Sequence, residues 1–268
     1  MDPLLQYSIL FLTGILTGTA SGLFGVGGGF LMTPVQFWLY TAGGMDSTLA
    51  TRLAFATSLA VMIPTMISGT LAHHRRGAVN WNAVVPIGCA AIMGGLAGGT
   101  LATNLPGIVL GTFFALLIIL TAARMIWHLH SCTVCEPHGS TGIYLVIGFF
   151  IGIVSGLGGI GGGVLLVPVL VILLGYPMHS AVGTSSACLI FSSTGAVAAY
   201  VTSGFSVPGL PLYSIGYVDL VSFAILAVTT IPFARFGVRC AYGCSGRKLQ
   251  VLFAGVLILI GGLMLVSG

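Results

Sequence analysis

Long apolar runs, separated by short polar stretches, follow one another along almost the whole chain. Most of them approach the roughly 20 helical residues that cross the hydrocarbon core of a bilayer. Two runs, residues 30–40 and 164–174, are too short to cross alone, and each follows a triple glycine, which disfavours a helix. The pattern predicts an all-α membrane protein, a polytopic helical bundle with broken or re-entrant helices at the Gly-rich turns. The runs cover residues 4–24, 30–40, 49–72, 81–102, 106–127, 143–157, 164–174, 181–201, 217–241 and 248–266.

Each triple glycine belongs to a longer motif that occurs twice. Residues 21–34 read SGLFGVGGGFLMTP, and residues 155–168, which lie 134 positions later, read SGLGGIGGGVLLVP. Thr57-Ser58 returns in the same way as Thr184-Ser185, at a spacing of 127. The sequence therefore predicts a single integral membrane domain of two repeats, residues 1–128 and 142–268, joined by a linker over residues 129–141.

Composition and charge exclude a soluble protein and suggest how the repeats are oriented. The chain is 57% hydrophobic and 4% charged, whereas a soluble domain carries about 25% charged residues. If each repeat crosses the membrane an odd number of times, the repeats are inverted and nearly all Lys and Arg reach one face, which the positive-inside rule makes cytoplasmic. Both termini are then predicted to be periplasmic and the linker cytoplasmic, whereas parallel repeats would scatter the charges over both faces. The basic face would carry Arg75, Arg76, Arg124, Arg239, Arg247 and Lys248, with Arg235 just inside it and Arg52 on the opposite face.

The first residues carry neither a positive n-region nor a small-residue cleavage site, so we predict no removable signal peptide.

The glycine turns are the predicted binding site. A helix that begins after such a turn presents unpaired backbone N–H groups and a positive dipole end, which favour an anion. Ser and Thr hydroxyls beside the turns add donors without a buried charge. The alternatives are that the glycines only permit close helix packing, that the hydroxyls bond back to helix carbonyls, and that Arg52 snorkels to the interface. The predicted substrate-binding residues are Ser21, Gly25, Gly27, Gly28, Gly29, Arg52, Thr57 and Ser58 in the first half, and Ser155, Gly159, Gly161, Gly162, Gly163, Thr184, Ser185 and Ser186 in the second.

The linker supports a second hypothesis from another functional class. His130, Cys132, Cys135 and His138 have the ligand types of a tetrahedral metal site, although the second Cys-x-x-Cys of a structural zinc module is missing. Free thiols with no metal are the alternative. These four residues would be the working part of a membrane redox or metal-handling protein.

Other functional classes find less support in the sequence. An ion channel is a third possibility, but rings of charge and a carbonyl-filter motif are missing. Neither a catalytic constellation nor a Walker motif is present. We therefore predict no enzyme activity, no cofactor, no bound metal and no nucleic-acid partner.

The doubled motif resembles that of the TauE/SafE family of membrane transporters, the sulfite exporters. The resemblance continues at Ala56-Thr57-Ser58, at residues 73–81 and at Gly237-Val238-Arg239. It implies export or import of small sulfur-containing anions, such as sulfite, sulfoacetate or related organosulfonates. We predict a secondary transporter in the bacterial inner membrane that moves such an anion by alternating access, in the direction of export. The expected partners are this anion, the lipid bilayer and, as an option, a second copy of the chain.

Overall fold

The structure is a computed structural model of the chain, and it describes residues 3–127, 139–253 and 255–256. Within these residues the fold is almost entirely helical. A two-stranded antiparallel hairpin, β1 (Ser214–Ile215) and β2 (Val218–Asp219), precedes the last long helix. Residues 246–253 are also helical. The helices are α1 (Pro3–Phe24), α2 (Gly29–Ala42), α3 (Ser47–His74), α4 (Trp81–Asn104), α5 (Gly107–Trp127), α6 (Thr141–Gly158), α7 (Gly163–Pro168, continued by a π-helical turn at Val169–Leu173), α8 (Met178–Gly204) and α9 (Leu220–Gly243).

Six of the described helices are long and apolar enough to cross a membrane: α1, α3, α4, α6, α8 and α9. In contrast, the 14 residues of α2 extend only about 21 Å, less than the hydrocarbon thickness of about 30 Å. The predicted all-α polytopic membrane fold is confirmed. The helix boundaries differ from the predicted runs by up to three residues, and two of the differences change the local structure. The hairpin delays the start of α9 to Leu220, and the segment after the second triple glycine becomes a π-helix after Pro168.

Glycines let the first helix of each half pack closely against a late helix of the other half. Along α1, a Cβ at Gly22 would lie 1.9 Å from the carbonyl oxygen of Ala234 in α9. Along α6, a Cβ at the matching Gly156 would lie 2.7 Å from the carbonyl oxygen of Gly95 in α4. The matching pairs further along follow the same order, Gly14 with Leu226, Gly18 with Thr230, Gly148 with Ile87 and Gly152 with Ala91. Because the residue numbers of the contacting positions increase in the same direction along both helices of each pair, α1 is parallel to α9 and α6 is parallel to α4.

The matching helices α3 and α8 are the most buried of the six and cross in opposite directions. Near the end of α3, the Cβ of His73 lies 3.2 Å from where a Cβ of Gly183, near the start of α8, would stand. At the other end, Arg52 of α3 donates a hydrogen bond to Tyr217, whose ring packs against Tyr200 near the end of α8. The helices α3 and α8, which occupy equivalent positions in the two halves, therefore run antiparallel.

The helix contacts divide these elements into two bundles. The first bundle contains α1, α2, α3 and α9, and the second contains α6, α7, α8 and α4. Each half of the sequence thus contributes one helix to the bundle of the other half. The two bundles meet mainly through α3 and α8.

Adding a methyl group at Gly22 is expected to destabilise the fold, because its Cβ would overlap the backbone of α9. Overpacking of this kind costs about 1–3 kcal/mol. We expect Gly22→Ala to lower the midpoint of thermal unfolding of the purified protein. Gly69→Ala is the matched control, since this glycine also lies inside a buried helix but its Cβ would find no atom closer than 3.8 Å. Equal midpoints for the two variants would contradict the close α1–α9 packing.

Candidate functional site

Both glycine stretches fold into the same turn. In the first, Gly25, Gly27 and Gly28 have left-handed φ angles of 67°, 84° and 76°. In the second, the matching Gly159, Gly161 and Gly162 have φ angles of 64°, 77° and 78°. An L-residue pays roughly 1–2 kcal/mol in this region. The turn therefore requires glycine at three places, which explains the conformational basis of the repeated motif.

The two turns are in contact. A Cβ at Gly29 would lie 2.9 Å from the carbonyl oxygen of Gly159, and a Cβ at Gly163 would lie 2.6 Å from the Cα of Val26. A hydrogen bond also crosses between the bundles, because the Ser185 hydroxyl donates to the carbonyl oxygen of Gly25 at 3.0 Å. The helices α2 and α7 consequently begin at one shared point.

Backbone amides at this point have no helical partner. The first amides that bond back are those of Leu31 and Met32, which donate to Gly28 O, and those of Leu165 and Leu166, which donate to Gly162 O. Within the described part of the chain, the two residues that open each helix donate no backbone hydrogen bond; these are Gly29, Phe30, Gly163 and Val164. Two positive helix ends therefore converge where the turns meet.

An apolar side chain fills the space between the turns. The methyl group of Met62 in α3 lies 1.9 Å from the Cβ positions of both Gly27 and Gly161. Leu189, the matching residue of α8, approaches the Cβ position of Gly163 at 2.6 Å. An anion can sit between the turns only if Met62 swings aside, which its unbranched and flexible side chain permits.

Two of the predicted hydroxyls, those of Thr57 and Thr184, make matching contacts. Thr57 accepts a hydrogen bond from the amide of Asp219 at 3.0 Å, and Thr184 accepts one from the amide of Asn80 at 3.1 Å. These residues hold the starts of α9 and α4 against the helices of their own bundles. Both threonines therefore have a structural contact in addition to their predicted role.

The predicted serines differ in their hydrogen-bond partners. Ser58 accepts from Thr33 and Gln36, and Ser155 donates to Ser192, which in turn donates to the carbonyl oxygen of Gly161. Ser21 lies 4.0 Å from the sulfur of Met66. Ser186 bonds back to the carbonyl oxygen of Val182, as the alternative interpretation of the hydroxyls anticipates.

Arg52 lies away from the glycine turns. Its position on α3 is ten residues before Met62, or about 15 Å along the helix axis. The guanidinium donates to the hydroxyl of Tyr217 at 3.3 Å and to the carbonyl oxygen of Leu105 at 3.0 Å. The structure thus places this cation near the start of α3 and away from the glycine turns.

The proposed metal ligands of the linker, His130, Cys132, Cys135 and His138, lie outside the described residues. Among the residues that are described, no group of three His, Cys, Asp or Glu side chains could hold a metal ion.

Sequence analysis missed Met62 and Leu189, and it missed a buried polar row on α2. Thr33, Gln36 and Tyr40 are all buried on that helix. A position-by-position comparison of the two halves would have found the row, because the matching positions in the second half are apolar. Met62 gave no such signal, since an apolar residue in an apolar helix is unremarkable.

Paired broken helices that meet between two halves of a polytopic helical chain are typical of the substrate sites of membrane transporters. The chain belongs to the sulfite exporter TauE/SafE family, whose sequence profile matches residues 10–264. This confirms the resemblance derived from the glycine motif.

Relatives of the chain carry the same general description. It is 28% identical over 263 residues to a probable membrane transporter protein of Methanocaldococcus jannaschii, covering 98% of this chain and 96% of the relative. It is also 28% identical to a probable membrane transporter protein of Haemophilus influenzae, over 94% of this chain and 95% of that protein. A third, the probable membrane transporter protein YunE of Bacillus subtilis, is 27% identical over 98% of this chain and 99% of its own length. No solved structure matches the chain. The protein is therefore a multi-pass membrane transporter and not an enzyme.

Proposed function

We propose that the protein moves a small sulfur-containing anion, such as sulfite, sulfoacetate or a related organosulfonate, across the bacterial inner membrane, and that it exports this anion. The observation that carries the proposal is the meeting of two matching left-handed glycine turns at the starts of α2 and α7. The family description, sulfite exporter, agrees with it.

The site suits an anion with several oxygen acceptors. Unpaired amides at Gly29, Phe30, Gly163 and Val164 would donate to those oxygens, and the positive ends of two helices would stabilise the negative charge. The nearby hydroxyls of Ser21 and Ser155 would add donors. Uncharged donors hold an anion without a fixed counter-charge, and this allows its release on the other side.

Alternating access follows from the two bundles. We propose that the bundles rock about the α3–α8 contact, so that the turns open first to one side and then to the other. Because α3 and α8 cross antiparallel, the state open to one side of the membrane would resemble the state open to the other side, turned upside down. In this arrangement the two halves of the chain act as inverted repeats, with both termini on the periplasmic side.

A binding screen tests the substrate class. We expect purified protein to be stabilised against thermal unfolding by sulfite or sulfoacetate more than by sulfate, thiosulfate or taurine. Bound ligand stabilises by about 2.7 kcal/mol at a hundred-fold excess over its dissociation constant. Gly162→Leu is the control, because its side chain would enter the turn. Equal stabilisation of this variant, or of wild type by chloride, would contradict anion binding at the turns.

A further inference from the structure

The two short helices that leave the glycine turns differ in the polarity of one row of side chains. On α2, Thr33, Gln36 and Tyr40 form a polar row, and all three are buried. The positions that match them 134 residues later are Val167, Leu170 and Leu174, which are also buried. Since the second half folds the same turn without these polar groups, folding alone does not explain the row.

The row links the turns to a buried carboxylate. At one end, the Thr33 hydroxyl lies 3.4 Å from the carbonyl oxygen of Gly159 and 3.2 Å from the hydroxyl of Ser58. The Gln36 amide nitrogen then donates to Ser58 at 2.9 Å.

At the other end of the row, Tyr40 lies 3.5 Å from the Gln36 carbonyl oxygen and donates to Oδ2 of Asp219 at 3.0 Å. A continuous series of contacts, which we call the file, therefore runs from the carbonyl oxygen of Gly159 in the second turn, through the polar row of α2, to Asp219 at the start of α9.

Helix capping accounts for only some of the contacts of Asp219 and does not require its negative charge. Its Oδ1 accepts from the amide of Val221 and so caps α9. Asn80, the matching residue at the start of α4, makes the same contact to the amide of Asn82 with a neutral side chain. The negative charge and the contacts of Oδ2 are therefore beyond what the cap requires. An ionisable side chain buried among membrane-spanning helices is costly and marks function by default.

We propose that Asp219 is a proton-binding site coupled to the anion, so that the anion and one proton bind together. The proposal rests on the proposed function, because it assumes an anion at the glycine turns. The proton comes from water and forms an O–H bond at Oδ2 of Asp219, which becomes neutral. It returns to water when the anion leaves. Thr57, which touches the Asp219 amide, is five residues or about 7.5 Å along α3 from Met62, so a negative charge at the turns would repel an ionised Asp219.

The surroundings of Asp219 favour a proton over a metal cation. Oδ2 already receives hydrogen bonds from Tyr40 on α2 and from Ser222 on α9, and both donors direct their protons at it. Thr57 on α3 contacts the Asp219 amide, and Ser214 pairs with Asp219 in the hairpin. Among the described residues, Tyr40 is the titratable side chain that hydrogen-bonds to Asp219. The nearest cation on α3, Arg52, is engaged with Tyr217 and Leu105 and makes no ion pair with Asp219 within the described residues.

Through the file, a proton on Asp219 would change the hydrogen bonds beside the glycine turns. When Asp219 is ionised, Tyr40 donates to it. When Asp219 is protonated, it donates to the Tyr40 oxygen, and the Tyr40 proton is free for its two other acceptors, the Ser222 hydroxyl at 3.2 Å and the Gln36 carbonyl oxygen at 3.5 Å. The protonation state thereby sets how firmly the Gln36 amide is held against Ser58, beside the turns.

Titration calorimetry of the purified protein with sulfoacetate, in buffers of different ionisation enthalpy, tests the proposal. Sulfoacetate stays fully ionised between about pH 6 and about pH 8, because carboxyl groups titrate near 4. We expect wild type to take up protons on binding, and its affinity to rise toward about ten-fold for each unit of falling pH, by linkage. Asp219→Asn, which keeps the cap as Asn80 does, is expected to bind with no proton uptake and no dependence on pH.

Two further variants keep the test decisive if Asp219→Asn fails to fold. Gln36→Leu places the residue of the second half, Leu170, into the file and is expected to reduce proton uptake while sulfoacetate still binds. Asp46→Asn removes a carboxylate that caps α3 but is exposed, and it is expected to behave as wild type. Sulfoacetate binding by wild type without proton uptake would overturn the coupling and leave the proposed function intact. Failure of wild type to bind sulfite or sulfoacetate at all would overturn both.

Discussion

Gly28→Leu and Gly162→Leu are each expected to reduce transport to the background of empty vesicles, while the protein still inserts into the membrane. Both glycines have left-handed backbones in the turns, with φ angles of 76° and 78°. A Cβ at Gly28 would lie 3.0 Å from the carbonyl oxygen of Thr17, and one at Gly162 would lie 2.7 Å from a methyl carbon of Ile151. The change displaces the amides that begin α2 or α7. Anion flux into proteoliposomes, normalised to the inserted protein, measures the effect.

Gly44→Leu separates the site from simple backbone strain. Gly44 also has a left-handed backbone, with a φ of 88°, but a Cβ there would meet nothing within 4 Å. It carries the same conformational cost of about 1–2 kcal/mol at a loop far from the turns. We expect this variant to retain most of its transport. Equal losses at Gly44 and Gly162 would show that the turns have no special role.

A cross-link between the bundles is the second change with a large expected effect. Cysteines at positions 73 and 183 would have Cβ atoms 3.2 Å apart, so a shift of a few tenths of an ångström brings them to the roughly 3.5–4.5 Å of a disulfide. In a background without the native cysteines, His73→Cys/Gly183→Cys is expected to lose transport on oxidation and to recover it on reduction. The bond would hold α3 against α8 and block rocking at that end. The reduced double variant supplies the baseline for the lost His73 contact to Gly22.

A pair within one bundle is the matched control for this cross-link. Gly99 of α4 and Ala199 of α8 both belong to the second bundle, and a Cβ at Gly99 would lie 2.7 Å from that of Ala199. Gly99→Cys/Ala199→Cys should therefore transport equally well when oxidised and reduced. Unchanged transport by the oxidised 73–183 pair would count against rocking of the bundles.

The hydrophobic pattern and the glycine motif together predicted the fold class and the family. They succeeded because spanning helices need long apolar runs, and because three left-handed positions per turn admit little except glycine. Both signals are local, so the sequence displays them directly. The swapped packing, in which α1 contacts α9 and α6 contacts α4, was not predicted. It depends on glycine faces such as those of Gly22 and Gly156, whose partners the sequence does not name.

The candidate site was predicted less completely than the fold. The glycines that meet at the turns were identified, whereas Arg52, which was predicted on the face opposite the basic one, lies about 15 Å along α3 from Met62. Met62 could not be recognised, because its role comes only from its position between the two turns. The contact of Asp219 with Tyr40 was not predicted either, because it links positions 179 residues apart. Such distant contacts follow from packing and not from local pattern.

Counterflow of labelled sulfite in proteoliposomes tests the central claim most directly. Vesicles containing wild-type protein and loaded with unlabelled sulfite should transiently accumulate the label from outside, without ATP. Vesicles containing the Gly162→Leu variant should not accumulate it, although Gly44→Leu vesicles should. The absence of counterflow for sulfite and for sulfoacetate in wild-type vesicles, or equal counterflow in wild-type and Gly162→Leu vesicles, would contradict transport of a small sulfur-containing anion through the glycine turns.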